Sequence, residues 1–279
     1  MKRTIRLSRL LLILVPILCI IIFFSFICLR TFNSDTQQTN QQGDTVDSRT
    51  LEKFLKTAME PVGQTMYVWG GGWNEEDTAA GTEAKTIGVS SQWKDFFEKQ
   101  DANYNYQDTL YQIHDGLDCS GYVGWAIYNI METKSGQNGY VMLSGAMAST
   151  YASYGWGSYY SKDQVKDFLP GDIMSNEEHV YIVLGTCEDG SVLLVHSSPP
   201  GVRICGTDSF GTGQSQAIAL AQQIMSEYYP EWYDKFPDCT VDSSYLVDYD
   251  QFRWNTETFS DASNLQKKSA DQIINLLFQ

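Results

Sequence analysis

The sequence predicts an α+β fold preceded by one membrane-spanning helix. Three observations predict it: an uncharged N-terminal stretch, helical patterns in the first half of the remaining chain, and β-branched runs separated by a turn in its second half. With 279 residues, 22 Gly and only 7 Pro, the chain has room for one core of ordinary domain size. A collagenous or broadly disordered protein is excluded.

The N-terminal segment predicts a membrane anchor. Residues 10–29 carry no charge, and a helix of that length spans about 30 Å, the thickness of the hydrocarbon core of a bilayer. The stretch is longer than the apolar part of a secretory signal, and no small-x-small cleavage site follows it, so retention as an anchor is favoured. The bases within residues 2–9 place the N-terminus inside and everything after Arg30 outside the cell membrane.

The net charge argues against a nucleic-acid partner. The chain has 19 Lys and Arg against 34 Asp and Glu, a formal net charge of -15. Residues 1–30 contain five of the bases and no acid, so the rest of the chain is more acidic still. A surface of that sign repels phosphate backbones and anionic headgroups.

The chain after the anchor (1–30) divides into three parts. Residues 31–48 are polar and lack an apolar period, which predicts a flexible linker. An apolar stripe from Leu51 to Met59, stopped by Pro61, predicts the first helix of the external domain. The larger units are expected to be a catalytic domain over 49–206 with an insertion at 73–115, followed by a C-terminal extension over 207–279 of unknown role.

The middle of the chain predicts a core helix and a hairpin. Residues 116–130 (GLDCSGYVGWAIYNI) combine turn chemistry with a long apolar run, so a helix is expected to begin near Cys119. Residues 169–174 (LPGDIM) indicate a turn entering a strand. Residues 179–185 and 191–197 are β-branched runs around CEDG and predict a hairpin.

Three residues have the chemistry for amide hydrolysis, which needs a nucleophile, a base and donors for an oxyanion. Cys119 lies at a predicted helix N-terminus, where the macrodipole and free N–H groups are expected to lower its pKa. His179 begins one hairpin strand and His196 lies near the end of the other. An even-length loop puts both imidazoles on one face of the sheet, whereas an odd-length loop or a bulge breaks this inference.

Other residues of these types have simpler explanations. A single Cys at the start of an apolar helix is more often a buried small hydrophobe than a nucleophile. His114, in a turn-like IHDG, is expected to be structural or on the rim of the site. The chain has three His and no C-x-x-C or H-E-x-x-H pattern, so we predict no metal and no organic cofactor. Outside the cell Cys205 has Cys187 or Cys239 as disulfide candidates, and the pairing stays open.

An ordered set of motifs resembles a known family. YVWGG (67–71), DCSG (118–121), PGD (170–172), HVYIVLG (179–185) and VHSS (195–198) follow one another along the chain. In that order they resemble the NlpC-type cell-wall cysteine endopeptidases. These papain-like enzymes usually cleave the γ-D-glutamyl to diamino-acid bond of peptidoglycan stem peptides. The resemblance implies a papain-like fold, with a nucleophile helix packed on an antiparallel sheet, and peptidoglycan stem peptides as substrate.

The resemblance also implies catalytic roles. Cys119 would be the nucleophile, His179 the general base and acid, and His196 the polar residue that orients the His179 ring. Family members usually join WGG to DCSG by a short loop, so the long insertion here is expected to cover the cleft and narrow the substrate range. The minimal family domain has no counterpart of the extension.

Three further residues match substrate-binding positions of the family. Tyr67 would bind substrate or stabilise the oxyanion, Asp118 would receive the free amine of the stem peptide, and Ser120 would line a subsite. Each of the last two has an alternative at the start of the helix: Asp118 as its N-cap, and Ser120 as ordinary helix-start chemistry. The glycines of WGG either let the backbone approach the cleft or serve a tight turn.

Two other functions compete with an endopeptidase. An N-acetylmuramoyl-L-alanine amidase of the related CHAP type uses the same Cys, His and polar residue, and would separate whole stem peptides from glycan. A non-catalytic module of the cell envelope, with its site sealed by the insertion, belongs to a different class. The sequence leaves the oligomeric state open.

Overall fold

The computed structural model of the chain describes residues 49–209 and 211–279. The predicted membrane anchor and the linker lie outside the described residues. Within the described part, no helix is long and apolar enough to cross a bilayer. The described residues form a mixed α+β structure, as the sequence predicts, with seven helices around one seven-stranded sheet.

The two helices predicted for the external domain, at Leu51–Met59 and from Cys119, are present where the sequence places them. Thr50 caps the first helix with its side-chain oxygen, and Asp118 caps the helix that carries Cys119. In chain order the helices are α1 (Leu51–Met59), α2 (Ser91–Glu98), α3 (Cys119–Met131), α4 (Ser144–Ser153), α5 (Gln216–Tyr228), α6 (Pro230–Lys235) and α7 (Ala270–Leu277).

The sheet is antiparallel except at one edge. Its strands lie in the spatial order β1-β7-β2-β3-β4-β5-β6, and only the pair β5 and β6 is parallel. In chain order the strands are β1 (Gly157–Tyr160), β2 (Ile173–Ser175), β3 (Val180–Thr186), β4 (Val192–Ser198), β5 (Gly201–Thr207), β6 (Thr240–Val241) and β7 (Asp250–Trp254). The predicted hairpin is the pair β3 and β4.

The two faces of the sheet carry separate apolar clusters. Val180 and Ile182 of β3 belong to the larger cluster, which also contains the apolar residues of α3. Tyr181 and Val183 point the other way, into a smaller cluster that includes Leu194 of β4. Because side chains alternate along a strand, His179 and His196 share the face of the smaller cluster. The histidines therefore lie on the face opposite the main packing surface of α3.

The segment 207–279, for which the sequence predicts no role, contributes one internal strand and one edge strand to the sheet. Its strand β7 pairs with β1 on one side and with β2 on the other. Phe252, in the middle of β7, is fully buried and lies opposite Ile173 of β2. Residues 207–279 are therefore part of the same folded unit as residues 49–206.

The insertion 73–115 packs against the back of α3. Trp93 of α2 is fully buried and meets Trp125 of α3 edge to face, with ring centroids 5.9 Å apart. The indole N–H of Trp125 donates to the carbonyl of Gly88, 3.2 Å away. These contacts bury aromatic area on both sides and hold the insertion on the domain.

A buried carboxylate ties β7 to the turn before β2. Asp172, from the PGD turn, is 1 % exposed and accepts two hydrogen bonds from Arg253, at 2.9 and 2.7 Å. It also accepts from the Gln251 side chain and from the backbone N–H of Leu169. A buried carboxylate needs such partners because unpaired charge in an apolar interior is strongly unfavourable.

We expect replacement of Asp172 to destabilise the fold. Asp172→Ala leaves the Arg253 guanidinium without its buried partner and should lower the free energy of unfolding by roughly 3 kcal/mol. Asp167→Ala is the matched control, because Asp167 contacts the same Arg253 through a carboxylate that is 60 % exposed, and its loss should stay below about 1 kcal/mol. Urea unfolding of the two variants measures the difference, and equal losses would contradict the role of Asp172.

Candidate active site

Cys119 is the first residue of α3 and is buried. The backbone N–H of Val180, the second residue of the HV pair that opens the hairpin, is near enough to the sulfur to lower the pKa of the thiol. The N–H groups of Cys119 itself and of Ser120 act in the same direction. The thiol therefore lies beside the start of β3, next to His179. The helix N-terminus supplies N–H donors at this point, as the sequence predicts.

The pKa of Cys119 shifts in the direction opposite to the one that the sequence predicts. Burial, reinforced by the neighbouring Asp118 carboxylate, raises the pKa of the thiol to about 12, whereas the helix N-terminus was expected to lower it. The three N–H groups at the sulfur do lower the pKa, but burial outweighs them. The resting sulfur is a neutral thiol.

The two histidines contact each other directly. Nε2 of His179 lies 2.9 Å from Nδ1 of His196, and the rings meet edge to face with centroids 5.1 Å apart. Because Nε2 of His179 is engaged in this way, Nδ1 is the nitrogen left for a proton from another group. Within the described chain, the structure has no hydrogen bond between the Cys119 sulfur and either imidazole.

The hairpin brings the histidines to one face by a route that differs from the predicted one. Five residues separate the paired Thr186 and Val192, so the loop is odd and the even-loop premise is wrong. The register also shifts between Val183 and Gly185, where β3 carries a bulge. The bulge adds one residue and cancels the odd loop, so both rings still share a face.

Burial keeps both imidazoles neutral. It lowers the pKa of His179 to about 3, with the positive charge of Arg203 acting in the same direction. The same two causes, followed by the neighbouring ring of His179, hold the pKa of His196 well below its ordinary value. His196 is fully buried, and His179 is partly exposed.

Asp118 and Ser120 form a buried network at the start of α3. Asp118 Oδ1 accepts from the N–H of Gly121 at 2.7 Å and from the Ser120 hydroxyl at 2.9 Å. The Ser120 oxygen in turn accepts from the indole N–H of Trp73 at 3.0 Å. The backbone N–H of Asp118 donates to the carbonyl of Gly71 at 3.0 Å. Asp118 is thus the N-cap of α3, the alternative that the sequence left open, and its recognition of an amine stays a prediction.

Tyr67 lies near Cys119 and packs against residues of the insertion. It is buried, and its ring meets that of Tyr106 edge to face at 5.3 Å. The hydroxyl of Tyr104 donates to the Tyr67 carbonyl at 2.6 Å. Burial raises the pKa of Tyr67, and the nearby Cys119 and Asp118 reinforce the shift. Its phenol is therefore a hydrogen-bond donor at neutral pH.

The glycines of the YVWGG segment serve a close approach as well as turns. Gly72 has φ +92°, and a Cβ there would lie 2.5 Å from the Cα of Gly121 in α3. A Cβ on Gly121 would overlap the carbonyl of Gly71. The segment can therefore lie against the start of α3 only because these positions lack side chains.

Several residues that surround the site carry no recognisable sequence signal. Tyr245 and Tyr249, from the C-terminal segment, pack beside the His pair, with the Tyr245 ring 5.6 Å from that of His179. Trp73 and Tyr106 come from the insertion. None of these aromatic residues lies in a periodic pattern or a family motif, and only the tertiary structure brings them to the site.

The remaining His and Cys residues lie elsewhere. His114 is more than half exposed on the insertion and pairs with Glu83, which raises its pKa. Cys187, Cys205 and Cys239 form no disulfide within the described chain. No group of three or more His, Cys, Asp or Glu residues in 49–209 and 211–279 is placed to hold a metal ion.

Comparisons with known proteins found no relative of this chain. No protein-family model matches it, and neither the curated proteins nor the solved structures that were searched contain a match. The family resemblance therefore rests on the five short motifs alone. The site defined by the structure is a buried thiol at a helix N-terminus beside a pair of neutral imidazoles.

We expect the buried imidazoles to make stability fall in acid. Unfolded histidines titrate near pH 6.5, whereas the pKa of His179 is about 3 in the fold and that of His196 is lowered. Below about pH 6.5 these histidines bind protons in the unfolded chain but not in the folded chain. Their contribution to the free energy of unfolding is therefore complete above about pH 6.5 and is lost as pH falls. His196→Gln should reduce the stability lost between about pH 7 and pH 5 by roughly 1–2 kcal/mol.

The comparison between variants isolates this effect. Burial raises the pKa of Asp118 and of Asp172 to about 6, so these groups titrate with the opposite sign over the same range. His114→Gln is the control: Glu83 raises the pKa of His114, so its contribution is present at low pH and its removal should enlarge the acid loss. Urea midpoints at both pH values provide the measurement, and an unchanged acid loss in His196→Gln contradicts the assignment.

Proposed function

We propose that the chain is a membrane-anchored, extracytoplasmic cysteine peptidase of the NlpC type with a papain-like fold. Its substrate would be the stem peptide of peptidoglycan, cut at the γ-D-glutamyl to diamino-acid bond through a thioester acyl-enzyme. The observation that carries the proposal is the position of Cys119 at the start of α3, beside the first residue of β3 and the His179–His196 pair. The membrane anchor follows from the uncharged stretch 10–29.

In the first step, Nδ1 of His179 accepts the proton of the Cys119 thiol as the sulfur attacks the carbonyl carbon of the substrate. Both groups begin neutral, so the proton moves during the attack and no thiolate accumulates beforehand. The N–H groups of Cys119 and Ser120 are available to donate to the oxyanion that forms. His196 holds the His179 ring through the 2.9 Å contact between their nitrogens.

In the second step, the protonated His179 gives its proton to the nitrogen of the leaving amine. The carbon–nitrogen bond breaks, and the acyl group stays on Cys119 as a thioester. A water molecule then gives a proton to His179 and attacks the thioester carbon. The sulfur leaves and takes that proton back from His179, which restores the neutral pair, and the new carboxylic acid departs.

The walls of the site give a reason for narrow specificity. Tyr106 of the insertion packs on Tyr67, and Tyr249 of the C-terminal segment lies close enough to Cys119 for the thiol to influence its pKa. A substrate must therefore reach the sulfur between aromatic side chains from both segments. A short stem peptide in an extended conformation fits between these aromatic side chains better than a folded protein chain does.

A non-catalytic envelope module is the second candidate function. It is favoured by the neutral thiol with a pKa of about 12 and by the lack of a hydrogen bond from the sulfur to either imidazole within the described residues. A CHAP-type amidase would use the same groups, and nothing in the geometry favours it. The products of wall digestion separate all three functions.

Digestion of purified peptidoglycan tests the proposal. The full chain should release fragments with a new diamino-acid amine, and Cys119→Ala should lower this release by at least about 10³-fold, because the variant lacks the sulfur that forms the thioester. Mass analysis of the fragments is the measurement. Cys187→Ala is the matched control, because Cys187 is a free thiol in the loop between β3 and β4, at the other end of the hairpin from the His pair, and it should keep full activity.

Each other result supports a different function. Whole stem peptides separated from glycan would indicate the amidase. No product from a folded wild-type chain, with Cys119 unreactive towards a thiol probe, would indicate the non-catalytic module. Equal activity of Cys119→Ala and wild type contradicts the proposed nucleophile.

The pH profile tests the protonation states. The Cys119 pKa of about 12 and the His179 pKa of about 3 leave both groups neutral over the whole neutral range. We therefore expect kcat/KM to be flat between about pH 7 and pH 9. A resting thiolate–imidazolium pair would instead produce a fall in kcat/KM in this interval, as the imidazolium loses its proton.

A further inference from the structure

Tyr245 is the aromatic residue that contacts both histidines. It lies in a short helical turn, Ser243–Leu246, between β6 and β7. Its ring centroid is 5.6 Å from that of His179 and 6.0 Å from that of His196, and it meets the His196 ring edge to face at 71°. The Tyr181 hydroxyl donates to the Tyr245 carbonyl, and the Tyr249 ring packs on it at 5.3 Å. Tyr245 is therefore held in place from two sides.

His196 has one nitrogen without a hydrogen-bond partner. Its Nδ1 meets His179, but its Nε2 is fully buried and has no partner among the described residues. Arg203, directly across from it on β5, donates from Nη1 to the carbonyls of Ser198 and Gly201. Its Nε donates to the Asp238 carbonyl. This neighbouring cation thus offers no hydrogen bond to Nε2.

The single hydrogen between the two rings allows two arrangements. In the first, His179 donates from Nε2, its Nδ1 carries a lone pair, and His196 carries its proton on Nε2. In the second, His196 donates from Nδ1, and His179 then carries its proton on Nδ1. Only the first arrangement lets His179 accept the thiol proton of Cys119.

The surroundings of His196 distinguish the two arrangements. The face of an aromatic ring is electron-rich, so it attracts the edge of an N–H group and repels a lone pair. The rings of Tyr245 and His196 meet edge to face, with their centroids 6.0 Å apart. A buried lone pair on Nε2 would instead require a donor, and no donor among the described residues lies within hydrogen-bond distance of Nε2.

We propose that Tyr245 is a positioning residue that keeps a proton on Nε2 of His196 and thereby leaves Nδ1 of His179 free to act as the base. The inference rests on the proposed function for its catalytic meaning, but the tautomer itself is a property of the resting protein. It assigns to the C-terminal segment a part in the site: the turn before β7 supplies the ring that sets the protonation of the His pair.

Nitrogen-15 NMR of the histidines in the full chain tests the tautomer. The chain has three histidines, so the spectrum of His114→Gln assigns the pair. We expect the wild type and Tyr245→Phe, which keeps the ring, to show His196 protonated on Nε2 and His179 unprotonated on Nδ1. Tyr245→Leu should show a mixture of both arrangements. A wild-type spectrum with the proton on Nδ1 of His196 overturns the proposal, whether or not the variants fold.

Wall digestion supplies the second measurement. Tyr245→Leu should lower kcat by roughly tenfold with KM unchanged, and Tyr245→Phe should restore kcat to within about twofold. Tyr228→Leu is the matched control, since Tyr228 is an exposed tyrosine of the same segment that stacks on Phe278 away from the histidines, and it should keep wild-type activity and spectrum. Equal losses in Tyr245→Phe and Tyr245→Leu overturn the role of the ring.

The two proposals can fail separately. A wild-type chain that leaves peptidoglycan intact but holds the Nε2 proton on His196, with the mixture appearing in Tyr245→Leu, contradicts the peptidase and supports the role of Tyr245. An active wild type in which Tyr245→Leu keeps both the tautomer and kcat supports the peptidase and overturns the role of Tyr245.

Discussion

Asp118 joins three segments at one point, directly before Cys119. Its carboxylate accepts hydrogen bonds from Gly121 and Ser120 of α3, and its backbone N–H donates to the carbonyl of Gly71 in the glycine-rich segment at 3.0 Å. Through Ser120 it also reaches Trp73, the first residue of the insertion. Asp118 therefore caps the helix, holds the glycine-rich segment against it and orients Cys119, the next residue.

Burial, rather than the helix dipole, decides the charge state of the site. A helix N-terminus stabilises a negative charge by about 0.3–1 kcal/mol, which is less than one pKa unit. Full burial shifts a pKa by up to about 3–5 units in the direction of the neutral form. The larger effect wins for the thiol of Cys119 and for both imidazoles. The Cys119 thiol and both imidazoles are therefore neutral in the resting site, and the proton of the thiol must move as the substrate reacts.

The insertion and the C-terminal segment are integral to the site. Strand β7 lies between β1 and β2 in the sheet and is held there by the pair of Asp172 and Arg253. That placement brings the preceding turn, with Tyr245, onto the histidine face of the sheet. The insertion closes the opposite side through Tyr106 on Tyr67. A chain without either segment would keep Cys119, His179 and His196, but it would lose the aromatic side chains that pack around them.

The sequence by itself determined the α+β class, the helix that begins at Cys119 and the hairpin with its two histidines. These features depend on local periodicity, capping and turn chemistry, which neighbouring residues carry. Only the tertiary structure decided the place of β7, the bulge that restores the face of the hairpin, the contact of Tyr245 with the histidines and the upward shift of the Cys119 pKa. Each of these depends on residues far apart in the chain and on burial from water, for which a linear pattern has no signal.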